Sequence, residues 1–169
     1  MSTDTSAFQP QKEFTVEIGD QKIQIRTGLL ANQANATVLC QMGDTVSMSN
    51  CTLSGQARAG VDFLPLQVVY QEKFYASGKI CGSRYRKREG RPADDFVLMA
   101  RVIDRGLRPM FPKHFHNDIQ VFCTVLSYDF ENEHDVASAN AANLAVALSD
   151  APAEGPLGSV RVGMIEGEL

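Results

Sequence analysis

Alternating apolar and polar residues mark two pairs of segments in the first third of the chain. The four segments are Phe14–Ile18, Lys22–Arg26, Thr37–Met42 and Thr45–Leu53. A period of two residues is typical of a strand with one buried face. Gly-Asp pairs at 19–20 and 43–44 separate the members of each pair. Because glycine readily adopts the positive φ angle that a two-residue turn requires, the pattern predicts two β-hairpins.

Two later segments have helical patterns. Pro92 followed by Asp94 and Asp95 is typical of a helix start, because proline is tolerated in the first turn and carboxylates favour the positive end of the helix dipole. Apolar residues recur at helical spacing at Phe96, Met99, Ile103 and Leu107, and Gly106 and Pro109 predict the helix end. The second helix, Asp135–Leu148, is rich in alanine. Its predicted inner side is Ala137, Ala141, Leu144 and Leu148.

Further strands are predicted at Leu64–Tyr70, Asp118–Tyr128 and Val160–Ile165, and the last would present an unpaired edge that favours self-association. Glycines predict loops at Ser54–Asp62 and Ala76–Arg91. Strands followed by a mixture of helices and strands indicate an α+β fold, a mixed β-sheet packed against helices. The 169 residues suffice for one domain, which we assign to residues 13–169, after a polar, disordered leader at residues 1–12.

Positive charge is concentrated in one fifth of the chain, although the whole has a net charge of −4. The segment Lys79–Lys113 holds ten of the sixteen Lys and Arg residues and only four of the twenty Asp and Glu residues. Arginine binds phosphate oxygens through two parallel hydrogen bonds, and Tyr85 offers a ring for base stacking. The segment therefore predicts binding to the backbone of single-stranded nucleic acid without sequence preference, and the alternative is a solvated run of charge.

The sequence itself predicts no catalytic or metal site. His114 and His116 have no third ligand nearby, and His134 is predicted to lie in a loop. Pairing with Asp104 is the favoured role for the Arg101, Arg105 and Arg108 face. Free thiols of a reducing cytoplasm are expected, because no C-x-x-C pair occurs among Cys40, Cys51, Cys81 and Cys123. We expect a cytoplasmic protein without a membrane span, since there is no signal peptide and no sufficiently long apolar run.

Four segments, in order, resemble the first part of polynucleotide phosphorylases. They are TGLLANQANATVLCQMGDT, DFLPLQVVYQEKFYASGKICGS, REGRPADDFVLMARVIDRGLRPMFP and GPLGSVRVGMIEGE. The resemblance implies a ribonuclease PH-like fold, of which this chain would form an incomplete first domain. It also implies RNA degradation from the 3′ end by a homotrimer, with inorganic phosphate as the attacking group and nucleoside diphosphates as products. The family's phosphate-binding serines and metal-binding aspartates belong to a second domain, so Mg²⁺ and phosphate are not expected to bind this segment.

The resemblance also implies which residues contact RNA. The family places arginines and paired phenylalanines at the neck of a central channel, in a motif close to F-F-R-R-E-G-R-P. The matching residues here are Arg84, Tyr85, Arg86, Lys87, Arg88 and Arg91. This sequence is one residue longer, Arg84 and Tyr85 replace the phenylalanines, Arg86 and Lys87 compete for one position, and Gly106 stands where the family has proline. Single-stranded RNA, rather than DNA, is the expected partner.

Two alternatives remain open from the sequence. One is a free-standing RNA-binding module of the same fold without catalytic activity. The other is a structural ring component in which the positively charged segment binds an acidic protein surface. Either would retain the fold and the charge distribution, so activity and RNA-binding measurements have to separate them.

Overall fold

The computed structural model describes residues 11–57, 60–80, 82 and 90–167, which form one mixed β-sheet with helices packed against it. The strands are β1 Lys12–Ile18, β2 Gln21–Thr27, β3 Ala36–Met42, β4 Thr45–Ala57, β5 Leu66–Glu72 and β6 Asn117–Ser127. The helices are α1 Asp94–Leu107 and α2 His134–Leu148, with short 3₁₀ helices at Phe74–Ser77 and Arg108–Met110. Neighbouring strands in the order β1-β2-β3-β4-β6-β5 are antiparallel, except β5 and β6, which are parallel. The predicted α+β class and mixed sheet are confirmed.

Both predicted hairpins are present. Ile18 pairs with Gln21 around one turn, and Met42 pairs with Thr45 around the other. Gly19 and Gly43 have φ angles of 59° and 57°, in the region that favours glycine. The first hairpin lies at the edge of the sheet and the second joins it to the interior strands, so the alternating pattern placed both in the correct register.

Asp129 ties the β3–β4 turn to the residues that follow β6. Its carboxylate accepts hydrogen bonds from the backbone nitrogens of Asp44, Glu131 and Asn132, the hydroxyl of Thr45 and the side-chain amide of Asn132. The bonds from Asn132 contribute most to holding the pKa of Asp129 well below its ordinary value. The side chain is therefore an anion at neutral pH and accepts from two loops at once.

The alanine-rich helix α2 lies against the middle of the sheet. Ala137, Ala141 and Ala145 are completely buried. At the same interface the hydroxyls of Ser47 and Ser138 are 2.6 Å apart. Small side chains on both surfaces let the helix approach the strands closely. The predicted inner side is confirmed for the alanines, whereas Leu148 at the helix end is exposed.

Helix α1 covers β5 with the predicted stripe. Ile103 and Leu107 are buried, while Phe96 and Met99 are half-buried against the same core. The helix ends at Leu107, between Gly106 and Pro109 as predicted, although Gly106 itself still lies within it. A Cβ atom at Gly106 would lie 3.1 Å from Leu157 Cδ2, and this close approach gives the glycine a packing role.

The predicted strand at Val160–Ile165 is wrong. Within this segment only Ile165 forms an isolated bridge. Asn140 of α2 accepts from the Ser159 nitrogen (2.8 Å) and donates to the Ser159 oxygen (2.9 Å), and Arg161 pairs with Asp135 and Glu133. Because α2 side chains hold this segment against the helix, the described structure presents no strand edge there.

The predicted loop at Ser54–Asp62 begins too early. Strand β4 continues to Ala57, which pairs with Asn117 after a register shift that follows Leu53. The Asn117 side chain donates to the Ser54 oxygen at 2.8 Å, which satisfies a backbone group at the irregularity. The small polar residues that start at Ser54 therefore belong to a bulged strand end. Residues 58–59 lie outside the described residues.

Candidate nucleic-acid interface

Most of the predicted RNA-binding residues lie outside the described part of the chain. These are Arg84, Tyr85, Arg86, Lys87 and Arg88. Arg91 is described, and its side chain is exposed just before Pro92 and the first turn of α1. The loop part of the positively charged segment, Lys79–Arg91, is here called the basic segment. The structure gives its two ends, and both are exposed.

A short 3₁₀ helix, Phe74–Ser77, leads from β5 into the basic segment. Gly78 ends it with a φ angle of 67°, and the Lys79 nitrogen donates to the Phe74 oxygen at 2.9 Å. Ala76 is buried, and its oxygen accepts from the Tyr128 nitrogen at 2.9 Å. The segment consequently starts from a fixed point on the sheet. Tyr75, on this 3₁₀ helix, is 60% exposed.

A chain of polar side chains fastens the same region to α2. Tyr70 is hydrogen-bonded to His134 Nδ1, His134 Nε2 lies 3.6 Å from Glu72, and Ser77 donates to Glu72. Burial raises the pKa of the Tyr70 hydroxyl, which keeps it protonated. His134 is the first residue of α2, so its predicted loop position is wrong. It fixes the end of β5 relative to the helix.

The arginines of α1 divide into two groups. Arg108 pairs with Asp104 (2.7 Å) and donates to the Leu64 and Leu66 oxygens at 3.0 and 3.3 Å. The sequence predicted that Asp104 pairs with Arg101, whereas in the structure Asp104 pairs with Arg108. Arg101 and Arg105 are exposed, and neither forms an ion pair with another described residue. They add two exposed positive charges on the helix that follows the basic segment.

The described residues contain no group of three or more His, Cys, Asp or Glu that could hold a metal ion. His116 Nδ1 lies 3.3 Å from the Phe63 oxygen, and Asp94 and Asp95 occupy the first turn of α1. Cys40, Cys51 and Cys123 are buried free thiols, and burial raises the pKa of Cys40 and Cys123 to about 11. No described helix is long and apolar enough to cross a membrane.

Residues 20–152 match the 3′ exoribonuclease family, domain 1. The chain belongs to this family. With the observed sheet and helices, the match confirms the ribonuclease PH-like fold that the sequence segments imply. The matched range contains strands β2 to β6, the basic segment and both α-helices.

Polyribonucleotide nucleotidyltransferases are similar to this chain over nearly its whole length. The protein of Halothermothrix orenii is 47% identical over 158 residues, which is 94% of this chain and 22% of that protein. The protein of Macrococcus caseolyticus is 47% identical over 161 residues, or 95% of this chain and 23% of that protein. The chain thus spans between a fifth and a quarter of the length of these curated relatives.

Solved structures share the fold at low sequence identity. Rice Rrp46 superimposes with a TM-score of 0.56 and 13% identity, covering 88% of this chain and 60% of that chain. A chain of the Archaeoglobus fulgidus exosome with RNA bound to the active site gives a TM-score of 0.52 and 20% identity, covering 76% and 52%. At these identities the likeness concerns the fold alone.

Proposed function

We propose that this chain is the RNA-holding part of a phosphate-dependent 3′-to-5′ exoribonuclease, a polyribonucleotide nucleotidyltransferase. The family match supports this proposal, and the observation that carries it is the concentration of positive charge at 79–113 in an otherwise acidic chain. Both described ends of the basic segment are exposed. The longer relatives suggest that phosphorolysis itself needs residues that this chain does not contain.

We assign RNA binding to the six residues that match the channel-neck motif of the polynucleotide phosphorylases. They are Arg84, Tyr85, Arg86, Lys87, Arg88 and Arg91. The RNA ligand is single-stranded, and the contacts are to phosphates, so sequence preference is weak. In the longer protein, three copies would place these residues around a common path. As the family resemblance implies, magnesium and phosphate would be held by residues outside this chain.

Charge reversal of Arg88 and Arg91 to glutamate is expected to weaken binding to all single-stranded RNA sequences alike. With each phosphate contact that is lost, binding releases fewer counterions. The slope of log affinity against log salt concentration should therefore flatten by about 0.7 per contact. The measurement is a fluorescence anisotropy titration of poly(A) and poly(U) oligonucleotides at several salt concentrations. The charge-matched control is Lys12→Glu with Lys22→Glu, in the hairpin at the opposite edge of the sheet. An unchanged slope in the Arg88 and Arg91 variant would remove these residues from the RNA path.

The isolated chain is expected to release no nucleoside diphosphate from poly(A) in the presence of phosphate and magnesium. The reason is that its described residues contain no group of His, Cys, Asp or Glu that could hold a metal ion, and the family resemblance implies that the phosphate-binding residues lie in a second domain. Chromatography of the products detects turnover, with a longer polyribonucleotide nucleotidyltransferase as the positive control. Turnover that co-purifies with the chain would place the catalytic residues inside it. RNA binding without turnover also separates this function from a structural ring component, which would bind no RNA.

A further inference from the structure

Tyr75 carries a binding role that the charged residues cannot supply. We propose that its ring is a stacking platform for a base of single-stranded RNA, on the anchored turn that precedes Lys79. The inference rests on the proposed RNA-binding function and adds to it a contact with a base. Every base has an aromatic face, so such a contact strengthens binding without requiring a particular sequence.

The position of Tyr75 is fixed by its backbone. The Gly78 nitrogen donates to the Tyr75 oxygen at 3.0 Å, and the Ala76 nitrogen donates to the Lys73 oxygen at 2.9 Å. Ala76 is 5% exposed and its oxygen accepts from Tyr128 of the neighbouring strand end. A residue between such anchors loses little backbone freedom when a ligand binds, and preorganisation of this kind improves affinity.

Side-chain contacts also hold the turn that carries Tyr75. Ser77 donates to Glu72, and Glu72 lies 3.6 Å from His134 at the start of α2. The Glu72 carboxylate is therefore engaged within the fold and its charge faces a histidine. The turn that carries Tyr75 is thus fastened to both the sheet and the helix layer.

The ring itself is available. Tyr75 is 60% exposed, and no other described residue forms a hydrogen bond or a ring contact with its side chain. A large aromatic side chain that is mostly exposed on an anchored turn contributes little to the core. An exposed ring can stack on a planar ligand.

The charge around Tyr75 fits a nucleic acid strand. Lys73 precedes the 3₁₀ helix and Lys79 follows it, four residues after Tyr75. Lys79 opens the segment in which basic residues outnumber acids. Phe130 is equally exposed, but it lies among Asp129, Glu131 and Glu133, whose charges repel phosphate. Of these two exposed rings, Tyr75 is the one beside cations, and RNA is the ligand that uses both features.

Tyr75→Leu is expected to weaken RNA binding about fivefold or more, which is the loss that removal of one base–aromatic stack typically causes. The salt slope should stay unchanged, since no phosphate contact is removed. Tyr75→Phe keeps the ring and should bind as the parent does. The probe is a 12-nucleotide oligoadenylate with 2-aminopurine at one position, whose fluorescence reports stacking. Phe63→Leu, an exposed phenylalanine at the other end of β5, is the matched control.

Each result has a defined meaning, provided that the variants melt at the parent's temperature. Parent-like affinity and fluorescence in Tyr75→Leu, together with an intact dependence on Arg88 and Arg91, would overturn the stacking role alone. Equal losses in Tyr75→Phe and Tyr75→Leu would assign the contact to the hydroxyl and also overturn it. A parent chain that binds no RNA would overturn the proposed function, and the inference with it.

Discussion

Replacement of Gly43 by alanine is expected to lower the free energy of unfolding by about 2–5 kcal/mol. The left-handed backbone at this position (φ 57°) is unfavourable for any residue with a Cβ atom, by about 1–2 kcal/mol. The new Cβ would also lie 2.4 Å from the side-chain nitrogen of Asn132 and 2.9 Å from an Asp129 oxygen. Relief of that overlap displaces Asn132, and overpacking typically costs about 1–3 kcal/mol. Thermal unfolding followed by circular dichroism measures the change.

The chain contains a matched control for the strain term. Gly19 has nearly the same φ angle, 59°, but a Cβ atom there would meet nothing within 4 Å. Gly19→Ala should therefore cost only the backbone term, about 1–2 kcal/mol. The difference between the two variants isolates the contact with Asn132 and Asp129. Equal losses in both variants would show that the turn and the β6 loop are not packed together as described.

The hairpins could be predicted because their information is local. Alternation in Phe14–Ile18 and Thr37–Met42, with a Gly-Asp pair after each, specifies strand and turn together. It does not ensure burial, because the apolar residues of β1 are exposed. The first helix was similarly predictable from Pro92 and its acidic first turn. The packing role of Gly106 was not, since the space that makes glycine suitable is set by Leu157, which is distant in sequence.

The segment Val160–Ile165 shows where a local pattern is insufficient. Its composition favours a strand, but Asn140 binds both backbone groups of Ser159 and Asp135 binds Arg161. These partners are 19 and 26 residues away, and neither is visible from the pattern of the segment itself. Tertiary side-chain contacts therefore override the strand preference.

The charge of the candidate interface could be predicted from composition, but its geometry could not. The count of basic residues at 79–113 identifies the segment, and the resemblance selects Arg88 and Arg91 within it. The sequence assigned Asp104 to Arg101, whereas Arg108 takes that carboxylate and two backbone oxygens. No sequence pattern pointed to Tyr75 as a binding residue either, because its exposure depends on the anchoring of Ala76 to Tyr128.

Replacement of Ala141 by leucine is expected to destabilise the fold by about 3 kcal/mol or more, or to prevent α2 from docking. Ala141 is completely buried, and the helix it belongs to lies against Ser47 and Ser49 of β4, which are also completely buried. Three additional heavy atoms have no space between such surfaces, and overpacking costs about 1–3 kcal/mol, occasionally more. Thermal melting and near-ultraviolet circular dichroism measure the loss of stability and of fixed packing.

Ala147→Leu is the control on the same helix, because Ala147 is exposed and leucine is nearly as good a helix former as alanine. Its melting temperature should lie close to that of the parent chain. Ala141→Leu, by contrast, should lower the melting temperature by about 6 °C or more, since 1 kcal/mol corresponds to about 2–4 °C in a chain of this size. If both leucine variants melt with the parent, α2 does not lie close against β4. In that case the Ser47–Ser138 hydroxyl contact would also be absent in solution, because it requires the same close approach.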